Sequence, residues 1–446
     1  MIKTVLQNIK CLIPLLLIVV LSSCDKKTNL AALDAFTKNQ QTTWLRKLSQ
    51  VIVSDVLPAP VTSRIYAYTS IAAYEGLRPA YLNYKTYADR LKGLKDIPQP
   101  DASKAYYFPI SSMVAFTTVA KKLVFNGKAM EAMENEYFET LKNQPIDKER
   151  LKNSIEYGQA VGNHIFEWAK KDGYLQRTSF GGYIVKQGDE ATWQPTPPDY
   201  MDAAEPNFKT LRPFTLDSAA QFRPVPPPQY NTNPSSEFYK YAKNVCTVGD
   251  SLTEEQRNIG LFWDDNPNTS VTAGHVTYFQ QKLSPAGHWM HLTATIIEKE
   301  NVDLMKSADV FSKVAIGLFD GFISCWEAKY KYCLVRPETF INKYINKEWM
   351  PLIQTPPFPE YPSGHSVASG SAATVLTHFF GENYAYTDSI EAQFGLPIRQ
   401  FKSFNEAAKE ASISRLYGGI HFLPALTNGN LQGIKVGNNV VNRTKN

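Results

Sequence analysis

Residues 311–337 read FSKVAIGLFDGFISCWEAKYKYCLVRP. Phe311, Ala315, Leu318, Phe322 and Trp326 recur at steps of three and four, the spacing that places side chains on one face of an α-helix. Lys329 continues that face at the next step of three, and an ammonium on a buried stripe needs a counter-charge or a ligand. Arg336 follows seven residues later, near the same azimuth two turns on, but Pro337 biases it out of the α region. The spacing therefore predicts a helix end and the loop leaving it, with both cations aimed at one place. Two basic residues at a helix C-terminus also serve to complement the helix dipole, and the spacing alone does not separate the two readings.

The same periodicity recurs along the chain. Val61, Ile65, Tyr68 and Ala72 form a stripe opened by Pro60 and closed by Gly76. Met113, Phe116, Ala120 and Leu123 form another, and Ile155, Gly162, Ile165 and Ala169 a third. Strand-like alternation is scarce, so the predicted class is all-α, a helical bundle. Between Gln194 and Asn233 the pattern fails, and Pro195, Pro197, Pro198, Pro206, Pro213, Pro224, Pro226, Pro227 and Pro228 exclude regular helix. This stretch reads as a connection over residues 191–234 that wraps the body and divides an N-terminal helical half, 24–190, from a C-terminal half, 235–440. Helices are expected to resume near Thr253, break through Asp264-Asp265-Asn266-Pro267 and return from about Trp289.

Bulk properties bound less. A chain of 446 residues with 43% hydrophobic and 20% charged residues is ordinary globular material, long enough for one large core or two stacked ones. The formal charge of +5 falls to +3 (5 − 2) without residues 1–23, which carry Lys3 and Lys10 and no acid; that balance is too weak to argue for nucleic acid. Lys3 and Lys10 precede the apolar run Leu12 to Leu21, which ends in Leu21-Ser22-Ser23-Cys24. The run is short for a membrane span, and small residues before a cysteine look like a bacterial lipoprotein cleavage site. The expectation is a signal peptide over 1–23, secretion across the inner membrane, and a lipid on Cys24 holding the protein at a periplasmic or cell surface. A plain signal peptide is the simpler reading of the same residues. Cys246, Cys325 and Cys333 remain, an odd set without motif spacing, so neither a disulfide framework nor a zinc site is indicated from them. If Cys325 and Cys333 share a helix they lie about 12 Å apart, beyond disulfide reach, and read as packed apolar residues.

Two further elements carry chemistry. Tyr361-Pro362-Ser363-Gly364-His365 opens a run with Ala368, Ala372, Val375 and Phe379 on one face. Ser and Gly before a helix leave backbone N–H groups pointing outward, an anion site by construction, to which Ser363 adds a hydroxyl and His365 a group titrating near neutrality. The same pattern also suits a capped helix with a surface histidine. In Ser414-Arg415-Leu416-Tyr417-Gly418-Gly419-Ile420-His421, an unbroken helix would hold Arg415 and His421 about 120° apart, and Gly418-Gly419 supplies the break that lets them converge. Together, Lys329, Arg336, Arg415, the Ser363-Gly364 helix start and two histidines describe a site for a highly charged tetrahedral oxyanion.

Lys329 with six residues to Arg336-Pro337, then Pro362-Ser363-Gly364-His365, then Ser414-Arg415 with five residues to His421, resembles the three-part signature of the type-2 phosphatidic acid phosphatase and vanadium haloperoxidase superfamily. Pro58 to Tyr74, the proline-rich connection, Phe262-Trp263-Asp264 and Pro285-Ala286-Gly287-His288-Trp289 are similar to the bacterial haloperoxidase branch, so the likeness spans roughly residues 40–440. The resemblance implies that Lys329, Arg336, Ser363, Gly364 and Arg415 bind the oxyanion, that His421 is the vanadium ligand, and that His365 is the general acid/base. The implied activity is a vanadium-dependent peroxidase, oxidising halide with hydrogen peroxide to hypohalous acid, with vanadate as cofactor and phosphate as a competing anion. Iodide is the expected best halide, with bromide possible.

Aromatic Trp326 and Phe358 match positions lining the halide side of the pocket; plain helix packing and loop burial account for them as well. Algal bromoperoxidases carry a second histidine in place of Phe358, whereas fungal chloroperoxidases also carry Phe. The chain departs from the phosphatase pattern at Ala425, where an Asp usually follows the ligand histidine by four residues. That departure leans toward the peroxidase, with Asp264, Asp265 or Glu327 as substitute partners of His421. The alternatives are a periplasmic acid phosphatase with His421 as nucleophile, and an oxyanion-binding lipoprotein without catalysis.

Overall fold

The computed structural model describes residues 27–267 and 269–446, so the signal-peptide and Cys24 expectations lie outside the described residues. The first half carries α1 (Leu30–Thr37), α2 (Gln40–Ser54), α3 (Ala59–Leu77), α4 (Phe108–Leu123), α5 (Gly127–Lys142) and α6 (Lys148–Ala169). The second carries α7 (Glu237–Asp250), α8 (Glu254–Phe262), α9 (Pro285–Lys299), α10 (Leu304–Tyr332), α11 (Pro337–Tyr344), α12 (Gly364–Phe380), α13 (Phe404–Tyr417) and α14 (Leu423–Arg443). Starts are written in the sequence: Ser284, Asp303 and Ser363 cap α9, α10 and α12 by accepting from the third residue of each helix. Two short antiparallel hairpins, β1 (Ser270–Ala273) with β2 (Val276–Phe279) and β3 (Tyr386–Asp388) with β4 (Arg399–Phe401), interrupt an otherwise helical protein.

Helix α10 is the axis of the molecule. It packs on α3, α12, α14 and α9, and the Phe311, Ala315, Leu318, Phe322 and Trp326 stripe is buried in the main core. Beyond it, α12 lies closely along α14 because α14 presents Gly429, Gly433 and Gly437, one per turn, to the backbone of α12. A Cβ on Gly429 would stand 3.0 Å from the Ser363 carbonyl oxygen, and one on Gly437 2.7 Å from that of Ser371. The stripe therefore fixes how near the start of α12 comes to α14, and the Ser363 N–H donates to the Ala425 carbonyl across 3.1 Å.

The connection over 191–234 is nearly free of helix and is pinned to the second half. Val335 N–H donates to the Ala191 carbonyl, Trp193 N–H to that of Cys333 and Ala204 N–H to that of Pro357, all within 3.0 Å. The structure differs from expectation in three local respects. Helix resumes at Glu237, well before Thr253, because Ser236 caps an amphipathic turn. Helix α9 starts at Pro285, a residue suited to a first turn, and not at Trp289. Cys333 does not share α10 with Cys325 but ends it in a left-handed conformation (φ 49°), and both thiols are free.

Candidate functional site

Three chain segments that end or begin helices converge where the sequence places the oxyanion donors. The last turn of α10 delivers Lys329, the turn after it Arg336, the start of α12 Ser363, Gly364 and His365, the end of α13 Arg415, and the break before α14 His421. Gly419 makes that break in a left-handed conformation (φ 77°), where a side chain would be strained and would meet Pro351. Lys329, Arg336 and Arg415 are almost completely buried, yet none forms an ion pair with a carboxylate among the described residues.

Their N–H groups go to backbone carbonyls. Lys329 Nζ donates to Pro359 O (2.8 Å) and Glu360 O (3.0 Å); Arg336 donates to Phe358 O (2.9 Å) and Ile420 O (2.8 Å); Arg415 donates to Trp263 O and Asp264 O. Burial pushes the Lys329 ammonium down to about 7 and both guanidiniums down to about 10. Such a concentration of desolvated positive charge is stable only beside an anion.

His421 is the organising side chain. Its Nδ1–H donates to Glu360 Oε1 (2.9 Å), which also accepts the Phe422 N–H (2.9 Å). That fixes the tautomer, so Nε2 carries the lone pair and accepts from Arg336 at 3.2 Å. Burial, followed by Arg336, Lys329 and Arg415, holds the imidazole well below its ordinary pKa, so it is neutral and ligand-competent. Glu360 is fully buried, and burial raises its carboxyl to about 7 against the pull of Arg336 and Lys329.

Glu360 is therefore the partner that replaces the carboxylate missing at Ala425. None of Asp264, Asp265 and Glu327 plays that part: Asp264 pairs with Lys282, Asp265 with His288, and Glu327 with Arg223. Ala425 itself lies in a second apolar core with Phe238, Phe340 and Phe422, where a carboxylate would be desolvated. One sign in the sequence marked Glu360: an acidic residue inside an uncharged, proline-flanked stretch, PFPEYPSGH, has no local cation to pair with.

His365 also departs from expectation. Burial and Arg415 hold it well below its ordinary pKa, so it does not titrate near neutrality; it is a neutral base. The Asp264 carbonyl takes one ring N–H, and Nε2 is buried without a partner. Trp326 and Phe358 form one aromatic wall, their ring centroids 5.1 Å apart, beside a narrow cleft of about 40 Å³ that Gly364, His365 and His421 also line. The Phe358 ring also stacks on the cations, 4.9 Å from Lys329 Nζ and 5.0 Å from Arg336 Cζ.

The residues fit vanadate. The cations lack carboxylate partners, His365 Nε2 is an orphaned buried nitrogen, and a Cβ on Gly364 would occupy the space between Trp326 (3.6 Å) and Lys329 (4.0 Å) that an oxyanion needs. Ser363 Oγ caps the Ser366 N–H and keeps its own O–H to donate, while the Gly364 N–H belongs to the first helical turn, which has no internal acceptor.

Fold and pocket define a helical-bundle protein that holds a tetrahedral oxyanion against a neutral histidine. Residues 344–446 match the model of the VCPO second helical-bundle domain. The crystal structure of the first bacterial vanadium-dependent iodoperoxidase is 40% identical, with a TM-score of 0.85 over 94% of this chain and 98% of that one. Holo-type and apo-type bacterial vanadium-dependent chloroperoxidases share the fold at 16% identity, with TM-scores of 0.68 and 0.65, over 87% of this chain and 92% and 95% of theirs. Among curated proteins none matches. The chain belongs to the vanadium-dependent haloperoxidase family, whose cofactor is vanadate.

Proposed function

We propose that this protein oxidises halides with hydrogen peroxide, iodide best, using vanadate held on His421. The observation that carries the proposal is the neutral His421, its Nδ1–H fixed by Glu360 and its Nε2 set among three buried cations. Bound vanadate supplies a Lewis acid that activates hydrogen peroxide toward halide at constant oxidation state. Lys329, Arg336 and Arg415 balance the anion's charge, Ser363 Oγ and the Gly364 N–H orient its oxygens, and His365 Nε2 accepts a proton from hydrogen peroxide. Halide approaches along Trp326 and Phe358, an aromatic wall that suits a large, weakly hydrated anion such as iodide.

Ala425 does not bear on the halide preference, since Glu360 orients His421. The preference for iodide is supported by the aromatic wall and by the likeness, over most of the chain, to a protein described as an iodoperoxidase. The Glu360–His421 pair would also serve a nucleophilic histidine, so phosphomonoester hydrolysis is the second reading. Both are tested on one preparation purified without phosphate and loaded with orthovanadate. Peroxide-dependent iodide oxidation is expected; hydrolysis without halide oxidation would reverse the order, and neither activity would leave anion binding alone.

Inorganic phosphate should compete for the same donors. Secretion and a lipid on Cys24 are supported by the sequence of residues 1–24. Among the described residues no helix is long and apolar enough to cross a membrane. Labelled palmitate should enter the wild type and not Cys24→Ala.

A further inference from the structure

Asp265 lines the cleft and also reaches a second buried cluster that the peroxidase chemistry does not use. His288, on α9, is completely buried among three carboxylates from two other segments. Its Nδ1 lies 3.2 Å from Asp265 Oδ1 and 3.9 Å from Glu391 Oε1, and its Nε2 lies 2.9 Å from Asp388 Oδ2. Asp265, Asp388 and Glu391 are each at most 3% exposed.

Two oxygens in this cluster, Asp265 Oδ2 and Glu391 Oε1, have no hydrogen-bond partner. A buried carboxylate oxygen without a partner forfeits its hydration and gains nothing in return. Among the described residues no lysine or arginine forms an ion pair with these carboxylates: Lys282 pairs with Asp264 Oδ2 at 2.8 Å. The walls are aromatic, with the Trp263 ring stacked on His288 at 4.6 Å and the Phe262 ring edge-on at 5.6 Å. Three desolvated carboxylates thus face a single imidazole.

We propose that Asp265, His288 and Glu391 bind one divalent transition-metal ion of the zinc type, with Asp388 holding the imidazole from behind. The three residues can each offer a ligand atom within 4.8 Å of the others. Ligands at about 2.0–2.1 Å from a tetrahedral zinc stand about 3.3–3.4 Å apart. The observed 3.2 and 3.9 Å bracket that separation. Nε2 lies 2.9 Å from Asp388 Oδ2 and Nδ1 3.2 Å from Asp265 Oδ1; with an ion in place of the Nδ1 proton, Nε2–H would keep Asp388 as its acceptor, the arrangement of a metal-bound imidazole. Two carboxylates and one imidazole form a donor set that zinc and manganese accept. The ion neutralises the excess negative charge of three buried carboxylates that face one imidazole. Asp265 on the cleft wall provides the route of entry.

The ion joins the 264–266 loop, α9 and the 390–394 turn. Its effect on the neighbouring pocket would be structural, because the Asp264 carbonyl in that loop accepts from Arg415 and from His365. The inference does not require the peroxidase reading, and its test does not read activity. Full-length protein is stripped with chelator and titrated with Zn²⁺ and with Mn²⁺ in a calorimeter, and zinc, manganese and vanadium are counted in the same samples by elemental analysis. One Zn²⁺ per chain and a raised Tm are expected, with a loss of affinity of at least about 100-fold in Glu391→Gln, whose side chain keeps size and shape. His288→Gln should behave alike. Failure of the wild type to take up either ion stoichiometrically overturns the proposal, as does equal uptake by Glu391→Gln. So does an NMR spectrum showing both His288 nitrogens protonated with Zn²⁺ present. Loss of vanadium alone, with zinc retained, bears on the vanadate reading and not on this one.

Discussion

His421 donates its Nδ1–H to Glu360 Oε1 across 2.9 Å, and the same oxygen takes the N–H of Phe422, so one buried carboxylate fixes both the ring and the backbone beside it. Glu360→Ala leaves two buried donors unpaired and frees the tautomer. Vanadium retained after dialysis should reveal an affinity lower by about 10–100-fold. Glu360→Gln keeps an acceptor oxygen and should fall between. Unchanged retention in Glu360→Ala would show that the pair does not support the ligand.

His421 and His365 should separate by what is lost. His421→Ala removes the nitrogen that Glu360 orients toward the metal and is expected to abolish stoichiometric vanadium together with turnover. His365→Ala should keep vanadium and lose rate by about 10²–10⁴-fold. Metal content and kcat measured on both variants decide it; equal loss of vanadium would mean that the two roles are exchanged.

Anion affinity should depend on pH with a defined sign. Burial sets Lys329 to about 7 and Glu360 to about 7. As pH rises through 7, Lys329 loses its charge and Glu360 gains one, so the pocket loses positive charge on both counts. Affinity for a tetrahedral anion of fixed charge is therefore greatest below pH 7 and falls above it, by up to about tenfold per pH unit for each group. Competition by sulfate, whose charge is constant over this range, measures the slope. Lys329→Met should bind weakly at every pH with a shallower slope, and a wild-type affinity flat from pH 6 to 9 contradicts the assignment.

Iodide should be turned over fastest, bromide slowly and chloride negligibly. Iodide is the easiest of the three to oxidise and needs the least activated oxidant. Steady-state rates on one fully loaded preparation, at several pH values, provide the comparison. Bromide turnover at or above that of iodide would remove the preference and leave the family unaffected.

The packing of α12 on α14 makes a stability prediction. A Cβ on Gly433 would lie within contact distance of the Val367 carbonyl oxygen, a backbone atom that cannot swing away. Gly433→Ala should cost about 1–3 kcal/mol by overpacking, against roughly 1 kcal/mol gained from helix propensity. A lower Tm is expected, with weaker vanadium retention because Ser363 moves away from its place beside Ala425. A Tm equal to or above wild type would mean that the helices part without cost.

What the sequence displayed and what it hid follow from how far a signal travels along the chain. Lys329, Arg336, Ser363, Gly364, His365, Arg415 and His421 stand in short runs whose spacing and glycines imply convergence, and the structure brings them together. Glu360 is adjacent to one of these runs and is marked only by its lone charge there; its partner is 61 residues away and no periodicity links them. The His288 cluster is hidden for the same reason, its members coming from segments 23 and 100 residues distant. The pKa of His365 could not be read either, because burial and Arg415 set it, and both are tertiary facts. Gly429, Gly433 and Gly437, by contrast, recur every four residues, a visible mark of close helix approach that hydrophobic periodicity passes over.

The proline-rich connection is held at points. Ala204 sits on the cleft wall, its carbonyl accepting from both Trp326 Nε1 and the Tyr330 hydroxyl, while the Val225 carbonyl accepts from Tyr361 and the next residue, Pro226, stands in solvent. Added length between such points is cheap, since each doubling of a flexible loop costs only about 0.6 kcal/mol. Extra residues near Pro226 would be borne by the chain with little penalty, whereas a change at Ala204 alters the width of the entrance itself. The oxyanion donors and the strip at the entrance thus lie on separate parts of the chain, so the doorway can be reshaped by changing a stretch of extended chain that carries none of the anion's ligands.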